Sequence, residues 1–232
     1  MIPLKNLNPR RSFPVVTVSI IIVNALVFFF QLSLSPRALN HFIMMYGAVP
    51  RTLQLALAGQ NGLSPIDAVI PLFTSMFIHG GWLHIIGNMW FLWIFGGDVE
   101  DRLGHVLYLL FYFACGLGSG LAQAAFTWGS KLPAIGASGA ISGVLGAYIL
   151  YYPASRILTL VPLFIIWFTA RIPAWVFIGL WFFVQFFSGV SSLSSATSGG
   201  VAWWAHVGGF LLGMLLAYPK RPRHPNYYFA DG

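Results

Sequence analysis

Residues 133–146 read Pro133-Ala-Ile-Gly-Ala-Ser138-Gly-Ala-Ile-Ser-Gly-Val-Leu-Gly146. Glycine and alanine on a membrane helix let a neighbouring helix approach closely, because packing rather than water exclusion drives association in lipid. Ser138 stands among them, just inside the start of an apolar segment. A hydroxyl in that setting is either interhelical glue or, where a base reaches it, a nucleophile. Fold and function then depend on which other segments cross the bilayer, and on whether a base lies at the depth of Ser138.

Composition answers the first question. Of 232 residues, 58% are hydrophobic and only 7% charged. Soluble domains carry about a quarter charged residues, so this chain cannot cover a water-facing surface and reads as an all-α, polytopic membrane protein. Twelve Lys and Arg stand against five Asp and Glu. In a soluble protein that excess would suggest nucleic acid; here it sets orientation, since basic residues stay on the cytoplasmic side. The single cysteine, Cys115, excludes an intrachain disulfide. The first apolar run has no small-residue cleavage site close behind it and reads as an anchor rather than a signal peptide.

Taken in order, residues 1–12 form a polar cytoplasmic segment with Lys5, Arg10 and Arg11. A first span is expected over 13–35, then a long outer connection, 36–78, with short interfacial helices. Further spans are expected near 81–99, 105–127 and 135–152, the last stopped by Pro153. Residues 157–170 are too short to span and read as an interfacial stretch on the cytoplasmic side. A fifth span follows from Ile172 to Ser188, an uncharged outer loop over 189–200, a sixth span over 201–218 and a basic tail, 219–232. The membrane domain is thus 13–218, a six-helix bundle with both termini cytoplasmic. Lys5, Arg10, Arg11, Arg102, Arg156, Arg171, Lys220, Arg221 and Arg223 then lie inside, and only Arg37, Arg51 and Lys131 outside. Seven spans would turn the basic tail outward.

Spans two, four and six run in the same direction, so His79, His84 and Asn88, Ser138, and His206 all fall at similar depth in the outer half of the bilayer. Polar groups are costly there, and a cluster of them calls for a reason. His84 and Asn88 share a helix face. His206, Gly209 and Gly213 share another, and Gly139 with Gly143 forms a small-residue pair beside Ser138. Two glycine-notched helices can bring a hydroxyl and an imidazole within hydrogen-bond reach. Asp98, Glu100 and Asp101 belong to the opposite end of span two, Asp231 to the tail, and nothing in the sequence brings Asp67 close. The economical reading is a Ser138–His206 dyad with His206 as general base. His84, Asn88 and the Ser138 N–H would stabilise the oxyanion.

These residues resemble the rhomboid family of intramembrane serine proteases. The resemblance is carried by His79-Gly-Gly-Trp-Leu-His84-Ile-Ile-Gly-Asn88, by Gly136-Ala-Ser138-Gly139 with Gly143, and by Ala205-His206-Val-Gly-Gly209-Phe with Gly213. Glu100-Asp-Arg102-Leu-Gly104 is similar as well. The resemblance implies Ser138 as nucleophile, His206 as base, and His84 and Asn88 in the oxyanion hole, with no cofactor and no metal. It implies single-pass membrane protein substrates cut near the outer face, with span five and the 189–200 loop as gate and cap. Membrane lipids are the only other expected partner, and a bacterial cytoplasmic membrane the expected location. Two departures stand out. Some members carry an aromatic residue four positions after the serine, packed on the histidine, and here it is Ser142. A Trp-Arg pair before the second span is replaced in the Ala68-Val69-Ile70-Pro71 region.

Bland readings remain beside the sharp one. His79 and His84 are spaced unlike a zincin helix, and His79 reads as a structural tie for the loop above span two. Glu100 and Arg102 are expected to join an ion-pair or hydrogen-bond network at the inner end. A catalytically dead helix-binding relative would lack the serine or the histidine; a small transporter would show inverted repeats, and none is visible.

Overall fold

The computed structural model describes residues 1–9, 11–163, 165–193 and 201–221. Arg10, residues 194–200 of the expected outer loop, and 222–232 of the basic tail lie outside the described residues. The chain folds mostly into helices: α1 Val15–Ser33, α2 Pro36–Tyr46, α3 Pro50–Leu57, α4 Pro65–Thr74, α5 Trp82–Phe91, α6 Gly97–Leu103, α7 His105–Phe126, α8 Ser138–Tyr151, α9 Ala174–Leu193 and α10 Trp203–Ala217. A π-helical segment, Leu92–Gly96, joins α5 to α6.

The connection 36–78 forms short helices, as its punctuation predicts. Each of α2, α3 and α4 opens on a proline, whose fixed φ suits the first helical position. Ser35 caps α2 through Ala38 N–H, and Ser64 and Asp67 close a reciprocal capping box on α4.

Helices α1, α7 and α9 are long and apolar enough to cross a membrane, and Trp82–Leu103 follows Pro65–Phe77 after a bend of 85°. Helices α8 and α10, of 14 and 15 residues, rise about 21–23 Å at 1.5 Å per residue. α8 is nevertheless the centre of the bundle: Val144, Leu145, Ala147 and Tyr148 are all fully or almost fully buried. Its small residues allow this. A Cβ at Gly209 of α10 would collide with the carbonyl of Gly139, one at Gly213 with that of Gly143, and one at Gly146 with that of Phe210. The backbones of α8 and α10 therefore touch along their length. On the α7 side, a Cβ at Gly139 would run into Ser119 and one at Gly143 into Cys115.

The helical bundle carries one addition that the sequence reading lacks. Residues 157–163 and 166–170 are not simply an interfacial stretch: they belong to two antiparallel strands, β2 Arg156–Leu163 and β3 Ile166–Pro173, and β1 Ile2–Asn6 pairs with β2 in a three-stranded antiparallel sheet ordered β1-β2-β3. The stretch is rich in Ile, Leu, Val, Thr, Trp and Phe, several of them side chains that suit a pleated, half-buried surface. The register pairs Ile157 with Ile172 and Thr159 with Ala170, and Ile157 and Thr159 are fully buried against the bundle. Consequently α9, where the sequence places a fifth span, starts at Ala174 rather than Ile172, and it continues to Leu193 through the first residues of the expected outer loop.

Polar ties gather at one end of the bundle. Asn6 donates to the carbonyl of Ile94 in the π segment, and Trp90 Nε1 donates to Pro3 O. Asn8 donates to Asp98 at 2.7 Å and to the Tyr148 hydroxyl at 2.9 Å. Glu100 does not pair with Arg102: it accepts from the N–H groups of Val16 and Thr17, both at 2.8 Å, and meets His105 Nδ1 at 2.6 Å. It thereby satisfies the otherwise uncapped start of α1. Arg102 instead donates to Lys220 O and lies over the Tyr151 ring. The N-terminal segment and the start of the tail therefore meet at the same end.

Candidate active site

Ser138 is the first residue of α8, where backbone N–H groups have no intrahelical partner and the helix dipole favours negative charge. The loop before it is pinned twice. Ala48 and Ala134 exchange backbone hydrogen bonds, and Gly136 N–H donates to Ser75 O at 2.8 Å. Gly136 has φ +118, a region that disfavours a side chain, and a Cβ there would sit 2.6 Å from His84 Nε2. Glycine is required at that position for both reasons.

The close approach of α8 and α10 brings the two predicted reacting groups together. His206 Nε2 lies 2.8 Å from Ser138 Oγ. His206 is buried at 9% exposure, whereas Ser138 is half-buried at the floor of a cleft between α5 and α9. Gln123 of α7 accepts from Ala205 N–H, and Phe126 stacks on Trp204 at 3.8 Å, fixing the start of α10.

His84 lines the same cleft. Its Nδ1 accepts from Gly80 N–H at 3.2 Å, so the neutral ring carries its proton on Nε2, the nitrogen that faces Gly136. Asn88, one turn on, lines the cleft too, but its amide donates to His84 O at 2.8 Å. One N–H of that amide is thus committed to the helix. His79 does not line the cleft. Its backbone N–H and C=O are both held by the Gln31 amide of α1, at 3.0 and 2.9 Å, and its ring packs edge-on against His84 at 5.0 Å. The glycines Gly139, Gly143, Gly209 and Gly213 form the helix contact itself.

Three residues of this arrangement escaped the sequence reading. Gln185 of α9 places Oε1 2.7 Å from His206 Nδ1. Trp181, one turn earlier, holds its ring 6.1 Å from the imidazole. Gln31 clamps His79. Isolated glutamines in apolar helices were the available signal, since a buried amide in lipid needs a partner. Ser142, in place of an aromatic residue, turns its hydroxyl to Ser138 O at 2.6 Å and does not contact the imidazole by hydrogen bond. Asp67, exposed in the first turn of α4, is engaged by Ser64, whose backbone N–H and hydroxyl hold the carboxyl below its ordinary range.

A family model of the Rhomboid domain matches residues 67–223. Among curated proteins, Rhomboid protein 1, mitochondrial, of Saccharomyces cerevisiae is 29% identical over 164 residues, covering 66% of this chain and 42% of the yeast protein. Presenilin-associated rhomboid-like protein, mitochondrial, of Bos taurus is 26% identical over 187 residues, 76% of this chain and 45% of that protein. Rhomboid protease GluP of Bacillus subtilis is 40% identical over 85 residues, 37% of this chain and 16% of GluP. The matched parts are less than half the length of each of these relatives. With most of its length inside the domain match and the three polar blocks meeting in one cleft, the chain belongs to the rhomboid family, whose members are generally intramembrane serine proteases.

Proposed function

We propose that this chain is an intramembrane serine endopeptidase that hydrolyses peptide bonds in or near the transmembrane helices of single-pass membrane proteins. The observation that carries the reading is the 2.8 Å contact between Ser138 Oγ and His206 Nε2 at the floor of a cleft. His206 takes the hydroxyl proton on Nε2 while Oγ attacks the scissile carbonyl. The tetrahedral oxyanion is met by the Ser138 N–H, His84 Nε2–H and the remaining Asn88 N–H. Nε2 then passes its proton to the leaving amine, and water, activated by the same nitrogen, hydrolyses the acyl-enzyme.

Six crossings suit this chemistry: α1, the Trp82–Leu103 run, α7, α8, α9 and α10, within a membrane domain of residues 13–218. Segments 1–12 and 219–232 are assigned to one side, and the basic residues around them favour the cytoplasm. Two of the relatives above are named mitochondrial, which weighs against the expectation of a bacterial cytoplasmic membrane. We place the chain in a membrane as an integral protein.

The test is cleavage of a single-pass substrate with a Gly/Pro-containing outer half by purified protein in detergent. Wild type is expected to cut near the outer end of the substrate helix, and Ser138→Ala and His206→Ala to be folded and inactive. Cleavage persisting in Ser138→Ala would sink the dyad. If no form cuts the substrate, labelling of wild type, but not Ser138→Ala, by a fluorophosphonate would still support an activated serine.

A further inference from the structure

A Ser–His pair needs something to fix the imidazole. A neutral ring has two tautomers, and only the one with the proton on Nδ1 leaves Nε2 free to accept from Ser138. The acidic residues do not serve. Asp67 is engaged by Ser64, while Asp98, Glu100 and Asp101 sit at the opposite end of the bundle. Asp231 lies outside the described residues. Ser142 is spent on Ser138 O.

Helix α9 supplies what is missing. Gln185 is 7% exposed, and its Oε1 is 2.7 Å from His206 Nδ1. An amide oxygen accepts and cannot donate, so this contact requires the proton on Nδ1. The opposite tautomer would set the Nδ1 lone pair against the Oε1 lone pairs and point Nε2–H at the serine, where it could not act as a base. Trp181, at i−4 on the same face of α9, flanks the ring from the side.

We propose that Gln185 is the positioning residue for His206, selecting the base-competent tautomer through Nδ1, so that the Ser138–His206 pair is active only while α9 is packed against α10. This rests on the dyad reading. It also answers the Ser142 departure: orientation comes from α9 rather than from the turn after the serine. Because α8 and α10 interlock backbone to backbone while Gln185 reaches His206 by one hydrogen bond, an outward shift of α9 by about 1 Å takes that bond beyond the usual range without parting the dyad.

The experiment compares wild type with Gln185→Met, which keeps the volume but removes the acceptor, and Gln185→Glu, which restores an acceptor and adds charge. All are assayed for kcat and KM on the single-pass substrate across pH. Gln185→Met is expected to lower kcat about 10–100-fold, below the roughly 10²–10⁴ attributed to a whole general base, with KM changed less than about twofold. Gln185→Glu is expected to recover most of that loss. It should also move the acid limb of the kcat profile to higher pH by about one unit, since a neighbouring carboxylate favours the imidazolium. His84 is the other titratable ring facing the cleft and is common to all forms, so it cannot produce a difference between them. Wild-type kcat in Gln185→Met would overturn the assignment. So would equal losses in both variants with an unmoved acid limb, which would reduce Gln185 to helix packing. Ser138→Ala run alongside separates the failures: cleavage surviving there removes the dyad reading itself, whereas its loss beside an unaffected Gln185→Met removes only the positioning role.

Discussion

At the scale of single residues, each ring nitrogen near Ser138 has a task set by what the other nitrogen meets. His206 Nδ1 faces an acceptor, so Nε2 accepts; His84 Nδ1 faces the Gly80 N–H, so Nε2 donates. Two histidines in one cleft are thereby driven to opposite tautomers. The sequence led to the expectation that both would lie near Ser138, because polar residues at one depth on three helices are expensive, and both line its cleft. Their tautomers were not, because the deciding partners are a backbone N–H and a side chain from a helix that carries none of the recognised motifs. On the proposed mechanism, removing the His84 donor should cost what one oxyanion donor is worth, about 10²–10³ in kcat. His84→Ala is therefore expected to retain measurable cleavage at nearly unchanged KM, unlike Ser138→Ala. A KM that rises while kcat holds would make His84 a substrate-binding residue instead.

At the scale of elements, the glycine pattern of α8 and α10 specifies distance. A Cβ at Gly213 has nowhere to go, since it meets the Gly143 backbone rather than a flexible side chain. Gly213→Ala should push the helices apart, destabilising the bundle by about 1–3 kcal/mol. Its cleavage rate should fall further than stability alone accounts for, because the 2.8 Å contact depends on the same interface. Gly179 of α9 is the matched control, with nothing within 4 Å of its imagined Cβ. There alanine should leave the melting temperature unchanged or slightly raised, as helix propensity favours it by up to about 1 kcal/mol. Thermal unfolding in detergent with initial-rate cleavage checks both, and equal behaviour of the two variants would refute the interface argument. The strands illustrate the opposite case. Length argued against a span over 157–170 but could not reveal that Ile2–Asn6 supplies a third strand, because strand pairing across more than 150 residues leaves no local trace.

At the scale of the whole molecule, the two ends of the bundle carry different polar clusters. One end holds the Ser138–His206 contact. The other holds the network in which Glu100, with a side chain fully removed from solvent, receives two N–H groups of α1 and His105. The sequence pointed to a polar network at this end but paired Glu100 with the wrong residue, since Arg102 is near in sequence whereas the N–H groups of Val16 and Thr17 that it accepts from are 84 and 83 positions away. Glu100→Ala would leave the buried N–H groups at the start of α1 without an acceptor and forfeit charge-assisted hydrogen bonds worth roughly 1.5–3 kcal/mol each. Two such bonds put the expected loss at roughly 3–6 kcal/mol, with a clearly lower melting temperature. Glu100→Gln, which keeps an acceptor, should lose less. His105→Ala should lose less than about 1 kcal/mol, because that side chain is 49% exposed and its contact is screened by solvent. In every case kcat per folded molecule should stay near wild type, since Ser138, His206 and Gln185 are positioned by α8, α9 and α10 without using Glu100. A large fall in kcat with an unmoved melting temperature would mean that the two ends are coupled, and that the start of α1 takes part in setting the active cleft.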